Sequence, residues 1–292
     1  MTTPQPPESL FPELSDEVKQ TLLPILTNEE PPTLSQIEAR LKTLYGFSPD
    51  LTSSLELSKT LKCLHFDPLI LTVDNFLTSE ECNDYVSKAS TIDGLRSPTV
   101  GKDEVSKKQR TSTTWHHKYS STPELLARTC SLLGLPVGPS GSGLKIFEEP
   151  QTVRYKTSER FNWHYDALGP TSSDIKKEGG RNSEAGQRTA TVLVYLKDLD
   201  GGGATAFRDL GVSVKPEKGK ACIFFPSLGG IKNSPADLRT LHAGEPNESN
   251  DAEKWIAQIW VREHPEYTAT VPPNSRVEDA AESVEKLINA LT

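Results

Sequence analysis

Thr189-Ala-Thr-Val-Leu-Val-Tyr-Leu196 is the stretch on which the fold turns. An unbroken β-branched and apolar run of this length reads as a buried strand. Successive side chains on a strand alternate between faces, so Thr189, Thr191, Leu193 and Tyr195 share one. Working outward, Gly201-Gly202-Gly203 marks a tight turn. Further short strands are predicted at 204–207, 211–214, 220–225, 238–242 and 255–261, and upstream at Thr152-Val-Arg-Tyr155. Many short strands broken by turns predict a sandwich or jelly roll.

Around this β-rich centre the pattern is helical. Residues 1–13 are Pro-rich and polar and read as disordered. Apolar positions recur at helical spacing over 16–26, after Ser15 as N-cap, and over 33–45, where Ile37, Leu41 and Leu44 share a face. These two segments could form a helical hairpin. A β-type run at 69–73 precedes a helix capped by Thr78. Residues 98–120 read as loop, and 124–135 as a helix closed by Gly134 and Pro136. The polar segment 171–187 reads as an insertion, a lid in function. A linker after Pro265 leads to a last helix over 277–291. The expected division is therefore a Pro-rich tail and helical appendage (1–65), one β-rich domain (66–264), and a linker with a C-terminal helix (265–292).

The chain has 292 residues, 25% charged and 35% hydrophobic, which suits a soluble globular protein with a real core. Its formal net charge of -8 argues against nucleic-acid binding, which needs a basic face for the phosphates. The four cysteines form no CxxC pair and read as reduced thiols. No secretory signal, membrane-spanning run or ER-retention tetrapeptide is seen, so a cytoplasmic location and no membrane partner are expected.

The chemistry concentrates in His164-Tyr165-Asp166. On an extended segment, residues two apart point the same way, which sets an imidazole beside a carboxylate. A third ligand must come from a neighbouring strand. His242, read as the end of an apolar strand before Ala243-Gly244, is the candidate. Two imidazoles and one carboxylate can bind one face of Fe(II) and leave the opposite positions open, as oxygen activation requires. Lys254 lies twelve residues after His242 and shares a strand face with Ile256, Gln258 and Trp260. The residues alone leave two readings: a solvated lysine at a strand start after the polar loop 245–253, or an inward lysine, which is costly unless an anion such as an acidic co-substrate pairs with it. His65 and His264 read as structural; His116 and His117 are adjacent and must point opposite ways.

Residues 67–263 resemble the catalytic domain of the prolyl 4-hydroxylase family of Fe(II)/2-oxoglutarate dioxygenases. The matching segments are Thr152-Val-Arg-Tyr155, His164-Tyr-Asp166, Gly186-Gln-Arg-Thr-Ala-Thr-Val-Leu-Val-Tyr-Leu196, Gly202-Gly-Ala-Thr-Ala-Phe207, Val212-Ser-Val-Lys-Pro216, Gly219-Lys-Ala-Cys-Ile-Phe-Phe225 and Leu241-His-Ala-Gly244. The resemblance implies an α+β protein with a double-stranded β-helix (jelly roll) core, supporting helices and an N-terminal helical appendage. It implies His164, Asp166 and His242 as metal ligands and Lys254 on the distal carboxylate of 2-oxoglutarate. It also implies Tyr155 and Thr191 as hydrogen-bond partners of that co-substrate, with Trp260 lining the pocket. The implied reaction consumes 2-oxoglutarate and O2, releases succinate and CO2, and hydroxylates proline in a protein or peptide. Ascorbate is expected from the family alone.

The substrate side carries weaker marks. Arg110-Thr-Ser112 resembles a substrate loop, with Trp115 and His116 near the place of an expected aromatic; Glu148 and Arg188 stand where family members contact peptide. Phe161 departs from the family's usual tyrosine three before the first histidine, and the acidic loop 245–253 is slightly long. Two alternatives stay open: an oxygenase of the same fold acting on another residue, a free amino acid or a small metabolite, and a non-catalytic module that binds proline-rich peptide.

Overall fold

The computed structural model describes residues 31–53, 59–89, 91, 95–97, 111–169, 171–269 and 275–291. The helical pattern at 16–26, the Pro-rich stretch before it and Arg110 lie outside the described residues.

Two antiparallel sheets build the core. The large one has eight strands in the order β1-β2-β10-β7-β12-β5-β4-β3. These are β1 (Leu61–His65), β2 (Ile70–Val73), β3 (Leu95–Ser97), β4 (Thr113–His116), β5 (Gln151–Tyr155), β7 (Arg188–Tyr195), β10 (Ala221–Phe224) and β12 (Lys254–Arg262). The small sheet runs β6-β11-β8-β9, with β6 (Phe161–His164), β8 (Thr205–Phe207), β9 (Val212–Val214) and β11 (His242–Gly244). Mixed helices and antiparallel sheets give the α+β jelly-roll class that the sequence predicts.

Strand alternation decides what each face of the large sheet meets. On β12 every residue is buried. Ile256 joins Tyr155, Leu193, Tyr195, Phe207, Cys222 and Phe224 in an apolar cluster shared by the two sheets. Trp255, Ala257, Ile259 and Val261 belong instead to the larger cluster formed with the helices. The continuous apolar run of β7 is explained the same way: a strand covered on both faces needs no polar side.

The helix layer comprises α1 (Leu34–Tyr45), α2 (Ser79–Ala89), α3 (Pro123–Leu133) and α5 (Ala281–Leu291). Thr33 and Gln36 close a capping box at α1, and Thr78 and Glu81 exchange the equivalent bonds at α2. Gly134 ends α3 at φ 65°, where a side chain would also overlap the Ser48 carbonyl.

Three differences from the sequence reading have physical causes. Residues 238–242 are not a strand: Leu238–Thr240 form a 3-10 turn capped by Asp237, and His242 begins β11 rather than ending a strand. Within 98–120, read as loop, Thr113–His116 pair with β5 despite their polar composition. The boundary expected at 66 falls between β1 and β2, which pair as a hairpin, and Ile37 and Leu41 of α1 share the helix-layer core with Val284 of α5. Apolar faces on the terminal helices are buried against the β-rich domain, so no separate appendage is seen among the described residues. Segment 171–187 folds as α4 (Ser172–Gly179) and a 3-10 turn (Gly180–Ala185), with Ile175 and Ala185 buried.

Candidate active site

His164, Asp166 and His242 converge, with one ligand atom from each lying within 4.8 Å of the others. His164 and His242 are direct cross-strand partners between β6 and β11. Asp166 lies just beyond β6, in the bend that follows it. Its carboxylate stands 3.6 Å from His164 Nε2 and 3.8 Å from His242 Nε2. Each imidazole is oriented from behind: His164 Nδ1 donates to the Asn162 carbonyl (2.8 Å) and His242 Nδ1 to the Thr240 carbonyl (3.0 Å). A carbonyl can only accept, so Nδ1 carries the proton and the Nε2 lone pair faces the centre. Phe161 stacks on His164 with ring centroids 3.5 Å apart, and Phe224 meets His242 edge-on at 4.6 Å.

Burial alone would push the Asp166 carboxyl up. The neighbouring His242 and His164, and the Arg188 guanidinium, outweigh it and hold the group at about 2. The carboxylate is therefore ionised and ready to bind a cation. Thr191 donates its hydroxyl to Asp166 Oδ2 at 2.8 Å. The resemblance places Thr191 on the co-substrate; in the structure it orients the metal-side carboxylate. Removing the bond in Thr191→Val is expected to weaken Co(II) binding about tenfold. An unchanged Co(II) titration would show that the bond contributes nothing once metal is held.

Lys254 enters from the facing sheet and is 1% exposed. Its Nζ lies over the rings of Tyr155 (4.9 Å) and Tyr195 (5.9 Å), and no carboxylate among the described residues comes within ion-pair distance of it. Burial lowers its pKa from 10.5 to about 7, although Glu245 and Cys222 pull the other way. Gly244, two residues after His242, borders the ammonium: a Cβ there would come into ordinary contact with Nζ, at 3.5 Å. A buried ammonium bordered by the strand that carries His242 fits the distal carboxylate of a bidentate keto acid.

Trp260 pairs with Thr191 across β12 and β7 and carries the Arg188 guanidinium 4.0 Å above its ring. Arg188 and Glu148, expected as separate peptide contacts, bind each other in a two-pronged pair (2.7 and 2.6 Å), and Arg188 also donates to the Asp166 carbonyl at 3.1 Å. Arg262 completes the group at 3.3 Å from Glu148. This third partner is missed by sequence reading, because its position at the end of an apolar strand resembles a surface terminus.

Trp115 is a correction. It stacks on Trp255 in the helix layer, centroids 5.4 Å apart, with Arg154 over both rings. That is the face of the large sheet turned away from the cluster, so Trp115 does not line the site. The buried His117 bonds Thr152 at 2.8 Å and is structural.

Comparison with known proteins agrees with this geometry. Residues 150–262 match the model of the 2OG-Fe(II) oxygenase superfamily. A putative prolyl 4-hydroxylase of Acanthamoeba polyphaga mimivirus is 36% identical over 40% of this chain and 45% of its own length. The human prolyl 4-hydroxylase subunit alpha-3 is 28% identical over 69% of this chain and 35% of its own. The chain thus spans less than half the length of these curated relatives. Among solved structures, a viral collagen prolyl hydroxylase from Paramecium bursaria Chlorella virus-1, in its 2OG complex, superposes with a TM-score of 0.50 at 27% identity, covering 66% of this chain and 95% of that one. The matched stretch runs from β5 to β12, and it contains His164, Asp166, His242 and Lys254. The relatives named above, in sequence and in structure, are prolyl hydroxylases.

Proposed function

We propose that the chain is an Fe(II)- and 2-oxoglutarate-dependent hydroxylase that acts on proline in a protein or peptide. The observation that carries this reading is the opposition of two parts. His164, Asp166 and His242 present metal-binding atoms from one sheet, while Lys254 presents a buried ammonium from the other, beside Gly244. Fe(II), 2-oxoglutarate and O2 together would supply the oxidising chemistry: R–H, 2-oxoglutarate and O2 become R–OH, succinate and CO2.

The protein's share is placement. His164 and His242 direct their Nε2 lone pairs inward, and Asp166 brings the negative charge. Lys254 would fix the far end of 2-oxoglutarate, with Tyr155 alongside it. Trp260 and Thr191 support the carboxylate side, and Phe161 and Phe224 exclude water from the imidazoles. Arg188 keeps 20% of its side chain exposed while Glu148 locks its direction. That edge suits the bare carbonyls of a polyproline II peptide. Ascorbate as auxiliary reductant belongs to the same proposal. So does a cytosolic setting, which the four free cysteines support. No helix among the described residues is long and apolar enough to cross a membrane.

The test is mass spectrometry of proline-rich and mixed peptides after incubation with Fe(II), 2-oxoglutarate and O2, with succinate measured alongside. A one-oxygen gain on proline matched by succinate supports the proposal. Succinate without peptide modification moves the substrate to another residue, a free amino acid or a small metabolite. Peptide binding with no succinate favours a non-catalytic binding module.

A further inference from the structure

His242 opens β11, and the segment that delivers it, residues 225–241, has no regular strand pairing beyond one bridge between Ser227 and Ala236. Something else must hold that segment still, because the Thr240 carbonyl within it sets the direction of the His242 ring. The support comes from α1, which lies outside the matched region 150–262. Tyr45 stacks on Phe225 at 4.6 Å and donates to the Ser227 carbonyl at 3.2 Å. Gly230 N–H donates to the Leu44 carbonyl at 2.7 Å.

A chain of buried charges completes the link. Arg40 of α1, 3% exposed, donates to Asp67 Oδ1 at 2.6 Å. Arg239 donates to the same oxygen at 3.0 Å. Arg239 also grips Asp237 with two bonds of 2.9 and 2.7 Å. Asp237 caps the 3-10 turn through Arg239 N–H (3.1 Å), and its carbonyl accepts from the Thr240 hydroxyl (2.7 Å). Burial would raise the Asp67 carboxyl, but the two guanidinium groups hold it below the usual carboxylate range. Each side chain in the series fixes the next through these bonds.

We infer that Arg40, Asp67, Arg239 and Asp237 are positioning residues that aim His242 at the metal, which makes α1 part of the frame of the metal site. The inference rests on the reading of His242 as an iron ligand. The two histidines differ here. His164 takes its orienting bond from Asn162 in its own strand, so the charge chain reaches the cluster through His242. Partners that orient a metal-binding histidine typically matter 10–100-fold, roughly, in metal affinity.

The experiment uses the full chain. Co(II) is titrated into the parent, Arg239→Gln, Arg239→Lys, Asp237→Asn and His242→Ala and followed by visible absorption. 2-Oxoglutarate binding at saturating Co(II) and the unfolding midpoint of the metal-free protein are measured in parallel. Arg239→Gln and Asp237→Asn are expected to weaken Co(II) binding about tenfold or more while 2-oxoglutarate affinity stays within about twofold, with Arg239→Lys in between. Arg239 is one-third exposed, so its variants keep the test valid if Asp237→Asn fails to fold. A lowered midpoint with Co(II) affinity unchanged overturns the inference, since the chain of charges then serves stability only. If His242→Ala loses Co(II) while the relay variants keep it, the inference fails and the oxygenase reading stands. If the parent binds no Co(II), both fall.

Discussion

Asp166→Ala is expected to lower 2-oxoglutarate turnover by on the order of 10³-fold or more, with the fold retained, and His164→Ala to do the same. Asp166 is the one anion in the cluster, and without it two neutral imidazoles must hold a dication. The carboxyl also has a measurable signature in the metal-free protein. Its pKa is depressed from 3.8 to about 2, so the stability it contributes is present above 3.8 and is lost as pH falls through about 2. Asp166→Ala should flatten the acid limb of a stability profile across that window. Succinate release by both variants at the parent rate would remove the iron assignment.

Lys254→Met should separate stability from function. The ammonium is buried without an ion-pair partner among the described residues, and its pKa falls from 10.5 to about 7. Between those values the unfolded chain binds more protons than the folded one, so the stability of the co-substrate-free protein rises with pH across the window. Methionine fills a similar volume without the charge. The metal-free midpoint at pH 7 is therefore expected to rise by several degrees, about 2–4 °C for each kcal/mol recovered. The KM for 2-oxoglutarate should rise on the order of 100-fold, because a buried charge-assisted bond to the substrate is gone. In the parent, 2-oxoglutarate affinity should weaken by up to about tenfold per pH unit above 7, since pairing needs the protonated lysine. An unchanged KM in Lys254→Met removes the carboxylate role.

The metal-type cluster and the inward lysine were legible because period-two alternation is a local property. Lys254, Ile256, Gln258 and Trp260 fall on one face in the sequence and in β12 alike. What sequence could not supply is which face of the large sheet a strand turns inward. Trp115 looks like a site aromatic by spacing, yet β4 points it into the helix layer. Residues 238–242 look strand-like from their apolar members, but Asp237 captures the backbone first and makes a 3-10 turn. Glu148 and Arg188 were both placed near the site, while their mutual pairing depends on contacts forty residues apart and had no local signal. The burial of α1 was hidden for the same reason: its partners Asp67, Phe225 and Ser227 come from two distant segments.

Trp115 on β4 and Trp255 and Trp260 on β12 divide between the two sides of the large sheet in a way that gives the protein an internal optical probe. Trp115 and Trp255 are stacked together among the helices, remote from the cluster. Trp260 lies beneath Arg188 and beside Asp166, and Trp163 immediately precedes His164. A paramagnetic ion seated among His164, Asp166 and His242 would quench Trp260 and spare the stacked pair, while Trp163 is exposed and alternates away from His164 on its strand. The emission lost on binding then reads the site through Trp260, and the emission kept by the buried stacked pair reads the scaffold.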